Sequence, residues 1–321
     1  MKYCFLILTS VLFFSCEKKE LPAKKYDRGN IITMQVSMES NYKNQIWYRL
    51  IDNKIISTNL KTDWDIAFEN SLNGSHIILN GANAVKVYKT NFTQLSQVTD
   101  TTGIAANGQA DMPSGNLDST AFGNWQTSNT VYIINRGYNE MGQLLGFYKM
   151  KMVSHTTTNY IFEYADIFGT QTFQANVNKD GDYNFNAFSF IANAQVNIEP
   201  KKTDYDLCFT QYTYLFHEPL QYYQVTGILN NRYNTRIAKI SHKSFSEITL
   251  SDTATTFFNN NRDVIGYDWK TFNLNNNLFT VDVKKCYIIN DSKGFYYKLH
   301  FIDFYNSSGV KGFPKFEFIK L

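Results

Sequence analysis

The side chains that could bind a ligand gather around one histidine. The aromatic residues near His217 are Tyr212, Tyr214, Phe216, Tyr222 and Tyr223. Aromatic rings can sandwich a flat ligand or stack on a sugar, and they can equally pack the face of a sheet. A second histidine, His242, follows an apolar strand predicted at residues 237–240. The residues alone leave both interpretations of this group open, a ligand site and simple packing.

Residue patterns typical of enzymes are missing from the sequence. It has no Gly-x-Ser-x-Gly, no His-Glu-x-x-His, no phosphate-binding loop and no Cys-x-x-Cys. The carboxylates of Asp63 and Asp65 could do acid–base chemistry as a pair. That pair returns as Asp204 and Asp206, however, and a repeated position is more simply structural. The sequence therefore predicts a protein that is not an enzyme.

The elements that position these residues are predicted to be strands. The sequence has 26 phenylalanines and 22 tyrosines among its 321 residues, and aromatic side chains favour pleated, half-buried surfaces. No long window has the composition of a stable helix. The formal net charge is only +3, without the clustered basic face that binding to nucleic acid requires.

One strand pattern occurs twice. Residues 62–68 read Thr-Asp-Trp-Asp-Ile-Ala-Phe, and residues 203–209 read Thr-Asp-Tyr-Asp-Leu-Cys-Phe. The period of two predicts that Trp64, Ile66 and Phe68 share one face of the first strand. Tyr205, Leu207 and Phe209 are expected to share the same face in the second copy.

Further echoes keep the same order along the chain. They pair residues 47–50 with 187–190, residues 131–135 with 286–290, and residues 147–150 with 296–299. Repetition over about 140 residues suits a duplicated domain. We therefore predict an all-β fold of two tandem antiparallel β-sandwich or meander domains, residues 31–176 and residues 177–321.

The N-terminus has the pattern of an export signal. Lys2 precedes a short apolar core that is too short to span a bilayer, and Cys16 follows at once. The run before Cys16 resembles a bacterial lipobox, so residues 1–15 are a predicted lipoprotein signal peptide and Cys16 is the predicted site of lipidation. An ordinary cleaved signal is the alternative. Residues 16–30 then form a charged tether, and the body is expected to meet the membrane only through lipid.

Two cysteines, Cys208 and Cys286, remain in the predicted mature body. An exported protein could pair them in a disulfide. Their counterparts in the other copy are Ala67 and Val131, so the unit can be built without a thiol at either place. We favour two small buried hydrophobic side chains over a disulfide.

The motif strand at residues 64–68, together with the later hairpin that contains Tyr132 and Lys149, resembles the HmuY family of haem-binding surface lipoproteins. The resemblance covers nearly the whole mature chain, once in each repeat. It implies an all-β fold, a lipid anchor in the outer membrane and exposure at the cell surface. It also implies capture of haem and its delivery to a TonB-dependent receptor, in the service of iron acquisition.

The same resemblance points to ligands for haem iron. The founding type of the family holds the iron between two histidines on loops between the motif strand and the terminal hairpin. In this sequence the first copy has no histidine in that segment, whereas the second copy has His217 and His242. Two facing imidazoles would give a six-coordinate site. The predicted haem-binding residues are His217, His242, Tyr214 and Tyr222, with no metal beyond haem iron.

Two alternatives to this assignment stay open from the sequence. The two histidines could simply be exposed loop residues. The protein as a whole could be an adhesion or accessory module that binds a protein or a glycan through its aromatic loops.

Overall fold

The computed structural model of the chain describes residues 29–104 and 108–321. Within these residues it contains no α-helix, and the regular elements are strands and short 3₁₀ turns. Every pairing between neighbouring strands is antiparallel, from the first strand to the last. The predicted all-β fold of antiparallel sheets is confirmed. The leader, Cys16 and most of the tether lie outside the described residues.

The strands follow one another along the chain at short intervals. In chain order they are β1 (Ile32–Gln35), β2 (Asn44–Arg49), β3 (Lys54–Leu60), β4 (Ile66–Glu69), β5 (Ile77–Leu79), β6 (Lys86–Lys89), β7 (Tyr132–Asn135), β8 (Phe147–His155), β9 (Asn159–Asp166), β10 (Phe173–Asn178), β11 (Phe185–Ser189), β12 (Ala194–Val196), β13 (Leu207–His217), β14 (Leu220–Asn230), β15 (Arg236–Ile240), β16 (Lys270–Asn273), β17 (Leu278–Val281), β18 (Cys286–Asn290), β19 (Tyr296–Tyr305) and β20 (Lys311–Lys320). The 3₁₀ turns are Lys61–Asp63, Gly81–Asn83, Leu95–Gln97, Leu117–Ser119, Trp125–Thr127, Phe245–Glu247 and Leu250–Ala254.

The first sandwich joins a four-stranded sheet to a five-stranded one. The strand orders are β12, β11, β4, β5 and β10, β9, β8, β7, β6. Aromatic side chains fill the space between the sheets: the ring of Phe162 lies 5.2 Å from Phe68 and 5.0 Å from Phe188. Alternation along each strand sends these apolar side chains inward, as half-buried sheets require.

The second sandwich has the same plan. Its sheets are β14, β13, β2, β3 and β1, β20, β19, β18, β15, while β16 and β17 form a separate two-stranded ribbon. Phe316 lies at the centre of its core, with its ring 5.4 Å from both Tyr48 and Phe209. Both sandwiches therefore have a strongly aromatic core of their own.

The sandwiches exchange strands. The early strand β2 pairs with β13, and the early strand β4 pairs with the later strand β11. The N-terminal strand β1 pairs with the C-terminal strand β20. The predicted domain boundary between residues 176 and 177 therefore does not separate the two sandwiches. The strand pattern of a sequence shows where strands begin and end, but not which of two similar strands a given strand will pair with. The sequence therefore could not show this exchange.

Matched contacts hold the exchanged strands in both sandwiches. The buried carboxylate of Asp65 accepts a hydrogen bond from the backbone N–H of Phe190 at 2.8 Å. The carboxylate of Asp206 accepts one from the backbone N–H of Leu50 at 2.7 Å. Equal strand order and matched contacts are what a tandem duplication would leave, and the duplication itself stays a prediction.

In each copy of the motif, two of the three residues predicted to share one face of the strand do so. Ile66 and Phe68 face the core of the first sandwich, but Trp64 packs with Ala67 on the opposite face. The prediction for Trp64 is wrong because β4 begins only at Ile66, after the 3₁₀ turn Lys61–Asp63 has changed the direction of the chain. Tyr205 likewise packs away from the Leu207 face.

The two four-stranded sheets pack against each other through their outer faces. Small side chains meet there, among them Ala67, Ala187 and Cys208, with Trp47 beside them. Cys286 belongs to a different cluster, packed with Ile288. Both thiols are free and buried, as the sequence favours, and burial raises the pKa of Cys208 to about 12 and that of Cys286 to about 11.

Asp65 also forms a buried ion pair, with Arg136 Nε 2.8 Å from its carboxylate. Asp65→Ala leaves this guanidinium and the Phe190 N–H without their partner, so we expect a loss of about 3–5 kcal/mol in the free energy of unfolding. The exposed pair of Arg49 and Asp52 is the control, and Asp52→Ala should cost at most about 1 kcal/mol. Urea unfolding measures both values, and equal losses would contradict the importance of the buried pair.

The buried side chain of Asp206 should make the free energy of unfolding depend on pH. Burial raises its pKa to about 7, so the folded state keeps a proton that the unfolded state has already lost above about pH 4. Stability should therefore fall as pH rises towards 7, by up to about 1.4 kcal/mol per pH unit from this group. Asp206→Asn should flatten the profile measured by urea unfolding between pH 5 and pH 7. An unchanged slope in this variant would contradict the assignment.

Candidate functional site

A projecting hairpin supports the candidate site. β13 and β14 each have eleven residues and pair along their whole length, but β2 covers β13 only from Leu207 to Phe209. Residues 210–227, here called the hairpin arm, therefore extend beyond the sheet. An isolated two-stranded ribbon is marginally stable, so the arm depends on contacts with its neighbours.

Each sandwich braces the hairpin arm. On the side of the first sandwich, Thr213 Oγ1 donates a hydrogen bond to the carbonyl of Gly81 at 3.0 Å. On the side of the second, the ring of Tyr267 lies 5.0 Å from Tyr214 and 6.0 Å from Phe216. The arm is thus a wall between the two halves of the molecule.

Alternation divides the aromatic residues of the arm between its two faces. Tyr214 and Phe216 share one face with Tyr223, which is the cross-strand partner of Tyr214. His217 lies on the opposite face with Tyr222, the partner of Leu215. The residues around His217 that the sequence grouped together therefore belong to two different surfaces.

The face that carries Phe216 and Tyr223 borders a cleft of about 810 Å³. The ribbon of β16 and β17 lines the cleft opposite the arm, and we call the space between them the aromatic cleft. Its rings are Tyr42, Phe216, Tyr223, Tyr267, Phe272 and Phe279, and its cations are Lys270, Lys285 and Lys311. This volume lies within the range of sites for small molecules and cofactors, roughly 300–1,000 Å³.

Lysines give the aromatic cleft a positive side. Lys270 is buried against the ring of Trp269 at 4.3 Å and donates a hydrogen bond from Nζ to the carbonyl of Thr226 at 2.5 Å. Burial lowers the pKa of Lys270 to about 7. The Nζ of Lys311 lies 5.6 Å from the centre of the Tyr42 ring. A ligand with a flat apolar body and acidic substituents would match this surface.

Three phenols face the aromatic cleft, and their surroundings differ. Burial raises the pKa of Tyr42 and that of Tyr267, so ionising either phenol is costly. Tyr223 is 59% exposed and its ring contacts only Phe216 among the aromatic pairs of the described residues, at 6.1 Å. Tyr223 is therefore the most exposed of the three phenols.

The structure does not bring the predicted histidines together. His217 is exposed at the tip of the hairpin arm, whereas His242 is exposed on the loop after β15, a strand of the other sheet of this sandwich. No contact joins them in the described residues, and neither lines the aromatic cleft. Groups of three or more histidine, cysteine or acidic residues suited to a metal ion are also absent from the described chain.

The two predicted tyrosines have different environments. Tyr214 packs on Tyr267, directly behind the wall of the aromatic cleft. Tyr222 faces the first sandwich, where the Nζ of Lys86 lies 5.3 Å from its ring. The cleft residues that sequence reasoning missed are Tyr267 and Lys270, and the signal for them was the aromatic and lysine cluster in residues 267–270.

A scan against protein-family models finds the HmuY family, described as HmuY protein, over residues 41–318. A search of curated proteins finds no match. In the described residues, no helix is both long enough and apolar enough to cross a membrane.

Solved structures with some likeness to the chain include three bacterial proteins. Apo PinO from Porphyromonas gingivitis is 9% identical, with 91% of this chain and 98% of that chain covered and a TM-score of 0.36. A Bacteroides vulgatus protein assigned as HmuY-like and haem-binding is 11% identical, with 90% of each chain covered and a TM-score of 0.25. The apo HmuY analog of Tannerella forsythia is 10% identical, with 92% and 98% covered and a TM-score of 0.26.

Proposed function

Since the chain belongs to the HmuY family, whose model covers residues 41–318, we propose that it binds haem or a related porphyrin. The family match is the observation that carries this proposal. Binding and transport, rather than catalysis, is the role of the family. This agrees with the lack of enzymatic motifs in the sequence.

The aromatic cleft is the part of the described chain that fits a porphyrin best. Its rings offer flat apolar walls, and its volume of about 810 Å³ suits a cofactor-sized ligand. Lys311 lies at the cleft and would pair with a propionate group. Lys285 also lies there, but its Nζ already binds the backbone carbonyl of Asp268 at 2.6 Å and the carboxylate of the same residue at 3.2 Å. The buried Lys270 is less suited, because burial lowers its pKa and its Nζ is already bound to Thr226.

Tyr223 is the proposed ligand of the iron. Phenolate oxygen holds haem iron in some proteins, so a tyrosine can take the place of a histidine. Of the phenols in the aromatic cleft, Tyr223 is the most exposed, so its oxygen is the easiest for a bound iron to reach. The pair His217 and His242 remains the alternative that the family resemblance suggests, and it would require the hairpin tip and the loop after β15 to come together.

We further propose that the protein is a surface lipoprotein of the outer membrane. The sequence around Cys16 supports lipidation there, and residues 17–30 would tether the body to the membrane. Delivery of haem to a TonB-dependent receptor is part of this proposal and rests on family membership. A lipid anchor would keep a captured porphyrin close to such a receptor.

Adhesion or an accessory role is the second candidate function. Aromatic side chains at the rim of the cleft, among them Tyr223 and Phe272, are exposed and could stack on a sugar or pack on a protein. A binder of that kind would leave the absorption spectrum of haemin unchanged. The spectrum therefore separates the two functions.

A haemin titration of the full chain tests the proposed function. We expect a saturable shift of the Soret band, because the aromatic cleft replaces water around the macrocycle. Tyr223→Phe should lose the spectral signature of the iron ligand and weaken haemin binding about ten-fold or more, since it removes the phenolate oxygen while the aromatic wall remains. Absorption spectroscopy measures both effects.

Tyr222→Phe is the matched control, because Tyr222 is adjacent in sequence but lies on the opposite face of the hairpin arm. It should bind haemin as the wild type does. If His217→Ala and His242→Ala abolish the spectrum while Tyr223→Phe keeps it, the bis-histidine prediction is correct and the assignment to Tyr223 is wrong. Without any saturable shift, the haem function itself is overturned.

A further inference from the structure

A second, partly open space lies between the two sandwiches, and Gln211 of the hairpin arm lines both it and the aromatic cleft. This cavity of about 100 Å³ forms where the two four-stranded sheets meet, and we call it the inter-sandwich cavity. Trp47, Trp64, Phe185 and Leu229 give it apolar walls. Met112, Pro113 and Gly115, from the connection between β6 and β7, line one side of it.

Two arginines of the second sandwich face this cavity. Arg232 and Arg262 both line it, and burial together with the neighbouring charge of Arg262 lowers the pKa of Arg232 to about 10. Neither guanidinium takes part in a salt bridge found in the described residues. Two neighbouring like charges that are each partly buried and have no direct carboxylate partner are unfavourable unless something else satisfies them.

The hydrogen bonds of the arginines leave donors free. Arg232 donates from an Nη atom to the carbonyl of Gly115, but its buried Nε–H has no partner. Arg262 donates from Nε to the carbonyl of Asn230 at 3.3 Å. A guanidinium has five N–H donors in a fixed fork, so most of the donors of this pair remain available.

The acids that line the cavity already have other partners. Asp111 accepts hydrogen bonds from the backbone N–H groups of Leu79 at 2.6 Å and Ala121 at 2.7 Å. Glu199 accepts one from the hydroxyl of Tyr205 at 2.5 Å. Burial raises the pKa of Asp111 to about 6 and also raises that of Glu199. These acids therefore offset the positive charge of the arginines without occupying their donors.

The loop that contains Ser114 and Gly115 packs closely against the arginines of the cavity. Gly115 has φ of +72°, a backbone conformation that favours glycine, and a Cβ there would lie 2.7 Å from Arg262 Cδ. The backbone N–H of Arg262 donates to the carbonyl of Ser114 at 2.8 Å. The connection between β6 and β7 thus closes over the two arginines of the second sandwich.

From this arrangement we propose that the inter-sandwich cavity binds a small organic carboxylate. The two guanidiniums hold the carboxylate oxygens, since paired N–H donors match this group in geometry and charge. The tryptophan and phenylalanine rings pack on a short apolar chain. A volume of about 100 Å³ limits the ligand to a few carbon atoms, because benzene fills an engineered cavity of about 150 Å³. Apart from Gln211, its lining residues differ from those of the aromatic cleft, where porphyrin binding is proposed.

Tryptophan fluorescence of the full chain during titration with butyrate tests the proposal. Trp47 and Trp64 line the cavity, so binding should change their emission in a saturable way. Butyramide has the same shape without the charge and should give no saturable change. Inorganic phosphate has the charge without the apolar chain and should bind more weakly than butyrate.

Arg232→Gln should weaken butyrate binding about ten-fold or more, because it removes charged donors from the site. The matched control is Arg236→Gln on the exposed edge of β15, which should bind butyrate as the wild type does. If Arg232→Gln does not fold, the comparison of butyrate with butyramide on the wild type still shows whether the cavity binds a carboxylate. Equal responses to these two compounds, or no saturable response to butyrate, would overturn the proposal.

Discussion

The architecture depends on buried carboxylates that bind the backbone of exchanged strands. Asp65 accepts the N–H of Phe190, and Asp206 accepts the N–H of Leu50, so each acid joins strands that are distant in sequence. A buried carboxylate is costly unless hydrogen bonds and charges compensate it. Burial raises the pKa of both acids, and of the two only Asp65 forms a salt bridge within the described residues, with Arg136. The same backbone contact is thus made by one acid that has a buried ion pair and by one that has none.

The exchange of strands determines where both candidate binding sites lie in the fold. Because β2 pairs only with the first residues of β13, the remainder of that hairpin is free to form one wall of the aromatic cleft. Because β4 and β11 lie in one sheet and β2 and β13 in the other, the outer faces of these sheets meet around the inter-sandwich cavity. Haem binding at the cleft and carboxylate binding at the cavity are both proposals that follow from this one arrangement.

The sequence predicted the strands better than their partners. Periodicity of two placed Ile66 and Phe68 in the core, because alternation is a local property of the backbone. It failed for Trp64, where a 3₁₀ turn interrupts the strand. Residue types drew attention to the aromatic hairpin arm, but not to which of its faces borders a cleft. The cleft also needs Tyr267 and Lys270, which only the tertiary fold brings to the arm.

Anomalous diffraction at the iron edge, from crystals of the chain grown with haemin, would locate the bound iron. Haem binding by the aromatic cleft predicts one iron peak there, within bonding distance of the Tyr223 hydroxyl oxygen, with the macrocycle between the hairpin arm and the ribbon of β16 and β17. An iron peak between the imidazoles of His217 and His242, outside the cleft, would contradict it.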